Sequence, residues 1–261
     1  FTQDKVVILG GATAVGKSKL SMELMKRMNG VLVNGDATKL YRGLNCGANK
    51  WALKGLDVRL WDLVEASLPG AEFSAGQYHD AATVEIDSII HKEKKLPIVV
   101  GGSGLYLRWL LRGKQAGPQR DIPLSRVITQ QLAEMSWPDV VARVHEFDPI
   151  YAAKLVTNDR RRAARAIELY ERTGFTITAL QRQRTTALHE VDEKELIGDM
   201  EHVSNLSTTA TWQQKIDFRP FFLNMPRKQL YDMICIRCEN MILDGLFMEV
   251  WSLMRRGLTT E

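Results

Sequence analysis

Apolar residues along this chain follow two rhythms. Short unbroken runs at Val6–Leu9, Val31–Asn34 and Ile98–Val100 predict buried strands, since a strand covered on both faces reads as continuous apolar sequence. Between them, apolar positions recur every three or four residues. Leu20, Leu24, Met25 and Met28 predict one helical face, and Tyr78, Ala82, Ile86, Ile89 and Ile90 predict another. The second helix also has a start signal: Ser74 and Gln77 have capping-box spacing, with Phe73 and Tyr78 set for a hydrophobic staple. Pro97 follows its basic end and opens the next strand. Strands alternating with helices predict an α/β fold, a parallel sheet flanked by helices.

From about residue 115 the pattern changes. Residues 117–123 read as a Gly- and Pro-containing linker. Helical patterns follow at about 124–134 and 138–146, and another begins near Asn158 or Asp159 and carries Arg162, Arg165 and Glu168. The expected organisation is a core over 1–114, a helical insertion domain over 115–185, a polar irregular loop over 186–214, and a return to the core over 215–261. That last part has a strand near Phe218–Leu223 and a helix pair over 227–256.

The first strand runs into Gly11-Ala12-Thr13-Ala14-Val15-Gly16-Lys17-Ser18 and then into the first helix. Strand, glycine-rich loop and helix make a phosphate-binding P-loop. The backbone N–H groups of such a loop converge on phosphate oxygens, and the helix N-terminus adds positive potential. Lys17 supplies a point charge, the Ser18 hydroxyl is placed to hold Mg2+, and Thr13 adds a donor at the loop tip. The expected ligand is a diphosphate or larger.

Composition narrows the class. At 261 residues, with 45% hydrophobic and 25% charged residues, the chain has the make-up of a globular protein. No apolar run approaches the roughly 20 residues of a membrane span, so no membrane partner is expected. The net charge of +4 suits a nucleic-acid partner without requiring one. Three cysteines exclude a disulfide framework. Cys235 and Cys238 form a lone C-x-x-C inside a helical pattern, which favours buried helix thiols over a metal or redox site. The chain starts at Phe1 rather than Met, as after removal of a targeting peptide, and mitochondrial and cytoplasmic locations both stay open.

A P-loop by itself specifies phosphate and no reaction. The strand at Ile98–Val100 ends in Gly101-Gly102 with no terminal Asp, which weakens a nucleotide-hydrolysing reading but leaves a small-molecule or nucleotide kinase open. Asp36 should emerge at the carboxyl end of the second strand, the edge that borders the ligand crevice in open α/β sheets. There it would take a proton from an attacking nucleophile, or serve only as a turn residue or cap. The Gly101-Gly102-Ser103-Gly104 loop either faces a phosphate or makes a tight turn into the next helix.

Several stretches, in order, resemble the tRNA dimethylallyltransferase family. The family P-loop, G-P-T-A-x-G-K-S/T, is close to residues 11–18. Its D-S-x-Q-x-Y-x-x-L-x-x-G-T-x-K resembles Asp36 to Lys50, and its V-G-G-T-G-L-Y resembles Val100 to Tyr106. Similar matches are Asn158 to Glu168, Pro226 to Tyr231 and Gly245 to Val250. The resemblance implies transfer of a dimethylallyl group from dimethylallyl diphosphate to N6 of an adenosine in a tRNA anticodon loop. It implies Asp36 as the proton acceptor, with Thr13 and Ser103 as further catalytic residues. It also implies Gly11 to Ser18 with Mg2+ on the leaving pyrophosphate, Arg162 and Arg165 as phosphate ligands, and Lys39, Tyr41, Arg42 and Lys50 facing RNA. Arg162 and Arg165 read equally as a solvated basic face.

This sequence departs from the family pattern where substrate is read. Lys39 stands at the family Gln that reads the adenine, Ala37 at the Ser, and Ala48 at the Thr. An ammonium cannot accept a hydrogen bond, so the bidentate amide contact to adenine is not reproduced. Two roles follow: an enzyme with a diverged RNA substrate, or an RNA-binding or scaffold subunit of a larger ribonucleoprotein assembly.

Overall fold

The computed structural model describes residues 4–50, 55–65, 73–114, 117–118, 120–182 and 208–258. The chain divides into two compact units, Phe1–Lys114 with Ser207–Glu261, and Gln115–Leu206. The first begins with β1 (Asp4–Gly11), α1 (Lys17–Arg27) and β2 (Gly30–Asn34), followed by a 3-10 turn at Ala37–Leu40. Short β3 (Tyr41–Arg42), β4 (Val58–Arg59) and β5 (Val64–Glu65) lead to α2 (Ala75–His91), β6 (Leu96–Val100) and α3 (Gly104–Arg112). The second unit holds α4 (Ile122–Glu134), α5 (Trp137–His145), α6 (Pro149–Ala152) and α7 (Arg160–Thr173). The chain then returns through α8 (Thr208–Lys215), β7 (Ile216–Leu223), α9 (Arg227–Leu243) and α10 (Leu246–Arg255).

The main sheet has the order β4-β2-β6-β1-β7, and every neighbouring pair is parallel. The strands alternate their side chains between two apolar layers. Val6, Ile8, Val31, Val33 and Val99 pack with Tyr78, Ala82, Ile86 and Ile89 of α2. Val7, Leu9, Leu32 and Ile98 face the other way, against Met22, Leu24 and Met25 of α1. β1 lies between β6 and β7, and the chain leaves it toward β2 on one side and returns with β7 on the other. In open α/β sheets, ligands bind at the carboxyl ends of the strands at such a topological switch point.

The capping box at α2 is formed: Ser74 Oγ accepts from the Gln77 N–H at 3.2 Å and Gln77 Oε1 accepts from the Ser74 N–H at 2.9 Å. Elsewhere the structure corrects the expectations. Leu20 and Met28 are exposed, because the inward face of α1 centres on fully buried Ser21 and small Ser21 lets the helix lie close to the sheet. Cys235 and Cys238 are exposed rather than buried, since α9 buries none of its residues, whereas Cys46 is buried. Ile122 and Pro123 belong to the first turn of α4, where the Asp121 carboxylate caps the Leu124 N–H at 3.0 Å, so the linker is shorter than expected. Residues 208–214 of the expected irregular loop are helical, and the rest of that loop lies outside the described residues.

The loops after β2 and β6 touch backbone to backbone. Gly35 N–H donates to Val100 O at 2.8 Å, Ser103 N–H to Gly35 O at 3.3 Å, and Gly101 N–H to Leu9 O at 3.1 Å. A Cβ at position 101 would overlap the Gly35 carbonyl. Gly101→Ala is therefore expected to cost about 2–4 kcal/mol, the upper range for forced overpacking against backbone. Urea unfolding of the variant beside wild type measures it, and an unchanged midpoint would contradict the contact.

Candidate active site

The end of β1 turns into the P-loop through Gly11, at φ 141°, where a Cβ would sit 2.5 Å from Leu223 O. Gly16 caps α1 in the left-handed region, at φ 97°. It offers no side-chain cap, and the first turn of α1 has no acidic residue. The first N–H groups of α1 are thus left for an anion. Lys17 Nζ donates to Gly11 O at 2.9 Å and Ala12 O at 2.6 Å, which folds the side chain over the loop. Burial lowers the affinity of its amine for the proton, Asp36 opposes that effect, and Arg237 adds to it. Ser18 is half-buried in the first turn of α1.

Asp36 follows β2 directly and performs two jobs at once. Its Oδ1 accepts from Thr38 N–H at 3.1 Å and Thr38 Oγ1 at 2.8 Å, which caps the 3-10 turn. Among the described residues Oδ2 accepts no hydrogen bond, so it is open to a ligand. Buried Asn34 sets the direction of this segment. Its Oδ1 accepts from Asp36 N–H, and its Nδ2 donates to Asp36 O and Leu60 O, each at 3.0 Å. Ser103 Oγ accepts from Ala37 N–H at 2.9 Å, tying the loop after β6 to the turn that carries Asp36 and Lys39.

Lys39 is half-buried, with its ammonium 5.2 Å from the centre of the Trp61 ring. Its pKa is lowered to about 8, first by desolvation and then by Arg237, Lys17 and Lys50, against the opposing pull of Asp36. Lys50 requires a correction. It is 4% exposed and its Nζ is held by Tyr41 O at 2.6 Å and by the Asp62 carboxylate, so it pins a loop and does not face RNA. Tyr41 accepts from Phe73 N–H at 3.4 Å through its hydroxyl, while exposed Arg42 donates to Asp62 O at 3.1 Å.

Arg162 and Arg165 lie on α7 of the other unit. Exposed Arg162 pairs with Asp159 at 3.3 Å. Arg165 is committed to the fully buried Glu168 at 2.8 Å and to Pro118 O at 2.7 Å, a structural role within that unit.

Two residues missed in the sequence reach back from the C-terminal helices. Arg237 of α9 donates to Thr13 Oγ1 at the P-loop tip. Glu249 of α10 accepts from the N–H groups of Asn45 at 2.6 Å, Cys46 at 2.7 Å and Gly47 at 2.9 Å. Charge-assisted bonds of this kind are roughly twice as strong as neutral ones. The only sequence signal for either was membership of a motif-like stretch, Gly245 to Val250 for Glu249.

The fold and this loop define a P-loop α/β protein, with the loop at the switch point of its sheet. The profile of a family described as IPP transferase matches residues 39–261. A tRNA dimethylallyltransferase from Oceanobacillus iheyensis is 34% identical over 98% of this chain and 73% of its own length. One from Anoxybacillus flavithermus is 34% identical over 98% and 72%. The crystal structure of a tRNA isopentenylpyrophosphate transferase from Bacillus halodurans superposes with TM-score 0.56 at 27% identity, over 99% of this chain and 72% of that one. A eukaryotic dimethylallyltransferase acting on tRNA, 23% identical, shares the fold with TM-score 0.67 over 97% of this chain and 56% of its own. The chain belongs to the IPP transferase family, that of the tRNA dimethylallyltransferases.

The lowered pKa of Lys39 makes stability depend on pH. Between about 8 and the ordinary value of 10.5 the unfolded chain binds more protons than the folded one, so stability rises with pH across that window. Below it, the charged amine costs the fold about 1–3 kcal/mol. Lys39→Met should therefore be more stable than wild type at pH 7, with the gap closing by about pH 10.5. Thermal melts over that range read it, and a gap independent of pH would contradict it.

Proposed function

We propose that this chain transfers a dimethylallyl group from dimethylallyl diphosphate to the N6 amine of an adenosine in a tRNA anticodon loop. The observation that carries the reading is Asp36. It stands at the carboxyl end of β2, anchored through Oδ1, with Oδ2 open and with Lys17 of the P-loop within its field. The names of the similar proteins supply the reaction class.

The reaction balances on these groups. The N6 lone pair forms a bond to the allylic C1 as the C1–O bond breaks. The electron pair of that bond leaves with pyrophosphate, and the N6 proton passes to Asp36 Oδ2. An exocyclic amine is a weak nucleophile, so a carboxylate aimed at its proton contributes about 10²–10⁴-fold. Lys17, the α1 N–H groups and Arg237 at Thr13 stabilise the charge that builds on the leaving group. Ser103 supports this indirectly by holding the Asp36 turn.

The donor set suits Mg2+. The Ser18 hydroxyl is the protein ligand offered, and the described residues hold no cluster of three or more His, Cys, Asp or Glu side chains that would cage a metal. A hard ion held mainly by phosphates and water matches that set. When bound, it would withdraw charge from the pyrophosphate oxygens. No helix among the described residues is long and apolar enough to cross a membrane.

The test is transfer of label from dimethylallyl diphosphate to tRNA. Asp36→Asn keeps size and the turn cap and should lower transfer by about 10²–10⁴-fold while pyrophosphate binding persists. Transfer by Asp36→Asn at the wild-type rate would overturn the role of Asp36. Wild type that binds tRNA without modifying it would instead assign the RNA-binding or scaffold role.

A further inference from the structure

The cations around the P-loop differ in how they are satisfied. Lys17 donates to two loop carbonyls, and Lys50 donates to Tyr41 O and pairs with Asp62. Arg237 contacts Thr13. The Lys39 ammonium makes no hydrogen bond and no ion pair among the described residues, and its contact is the face of Trp61. It is half-buried, and Lys17, Lys50 and Arg237 repel it while Asp36 alone attracts it. A desolvated charge without a partner is costly, and a neutral side chain here would fold better. A local misfit of this kind marks a functional position.

We propose that Lys39 is an additional ligand for phosphoryl oxygens at this site, so that side chains of the protein carry part of the charge neutralisation that Mg2+ otherwise supplies. The inference rests on the reading of the P-loop as the diphosphate site. A phosphoryl oxygen here has two sources, the diphosphate and the RNA backbone. The diphosphate is favoured because the turn that carries Asp36 and Lys39 lies beside the P-loop, where a Cβ at Gly102 would sit 3.7 Å from Gly11 O and 4.0 Å from Asp36 Oδ2. Of the cations that repel Lys39, Lys17 lies in the loop and Arg237 is on Thr13. A bound diphosphate turns that mutual repulsion into shared attraction for one polyanion.

Isothermal titration of inorganic pyrophosphate into the full chain separates the terms. In EDTA, Lys39→Gln should bind about tenfold more weakly than wild type, the size expected for one charge-assisted hydrogen bond. Lys39→Arg should retain most of the affinity, and added Mg2+ should narrow the gap between Lys39→Gln and wild type. Melting temperatures confirm that the variants are folded. Binding of an RNA stem-loop with adenosine in its loop, followed by anisotropy, should be unchanged in Lys39→Gln. Equal pyrophosphate affinity for wild type and Lys39→Gln in EDTA overturns the inference alone, as does a loss confined to the RNA arm. Failure of wild type to bind pyrophosphate even with Mg2+ overturns the diphosphate reading, and the inference falls with it.

Discussion

The site depends on a place where side chains are missing. Gly35 and Gly101 bring the loops after β2 and β6 into backbone contact, and a Cβ at 101 would push them apart. Because the two strands are adjacent and parallel, their ends emerge on the same edge of the sheet. The glycine contact then joins them to the end of β1, where the P-loop begins. Asn34 and Ser103 lock the result, each through hydrogen bonds to the segment that carries Asp36. The proposed role of Asp36 needs its carboxylate held within a fraction of an ångström of its partner atom, and this backbone contact supplies rigidity there.

On this frame the electrostatics are deliberately unbalanced. Asp36 attracts both Lys17 and Lys39, while Arg237 repels both lysines and Lys17 repels Lys39. That mutual repulsion costs stability, and in the proposed site a bound polyanion would relieve it. The C-terminal helices take part in the same economy of charge. Arg237 adds a cation at the P-loop tip, and the Glu249 carboxylate gathers the N–H groups of residues 45–47. Residues more than 200 positions away thus brace the P-loop tip and the segment at 45–47.

Local signals were read well wherever the physics is local. The capping box at Ser74, the inward face of α2 and the strand at β1 each follow from residues within a turn or two of one another. The α1 face was misjudged at Leu20 and Met28, because periodicity alone does not say which stripe meets the sheet. The C-x-x-C thiols were expected inside, yet α9 packs without burying its residues. The family resemblance at Asp36 to Lys50 implies an RNA contact at Lys50. Its actual partners, Tyr41 O and Asp62, come together only when β3 and β5 pair.

The sequence alone determined the strand–loop–helix unit, the alternation that makes a parallel sheet, and the family. These follow from glycine positions, hydrophobic period and ordered motifs, all short-range or additive along the chain. It also placed Asp36 at a strand end while leaving cap and catalytic base as alternatives. Tertiary structure decided that Asp36 is a cap through one oxygen and open through the other. It also decided that the Lys39 ammonium, without a hydrogen bond or ion pair among the described residues, lies over Trp61, that Arg237 reaches the P-loop tip, and that Glu249 holds the N–H groups of residues 45–47. Those outcomes depend on which side chains folding brings within a few ångströms, and on how far it removes a charge from water. Neither quantity exists until the chain has closed on itself.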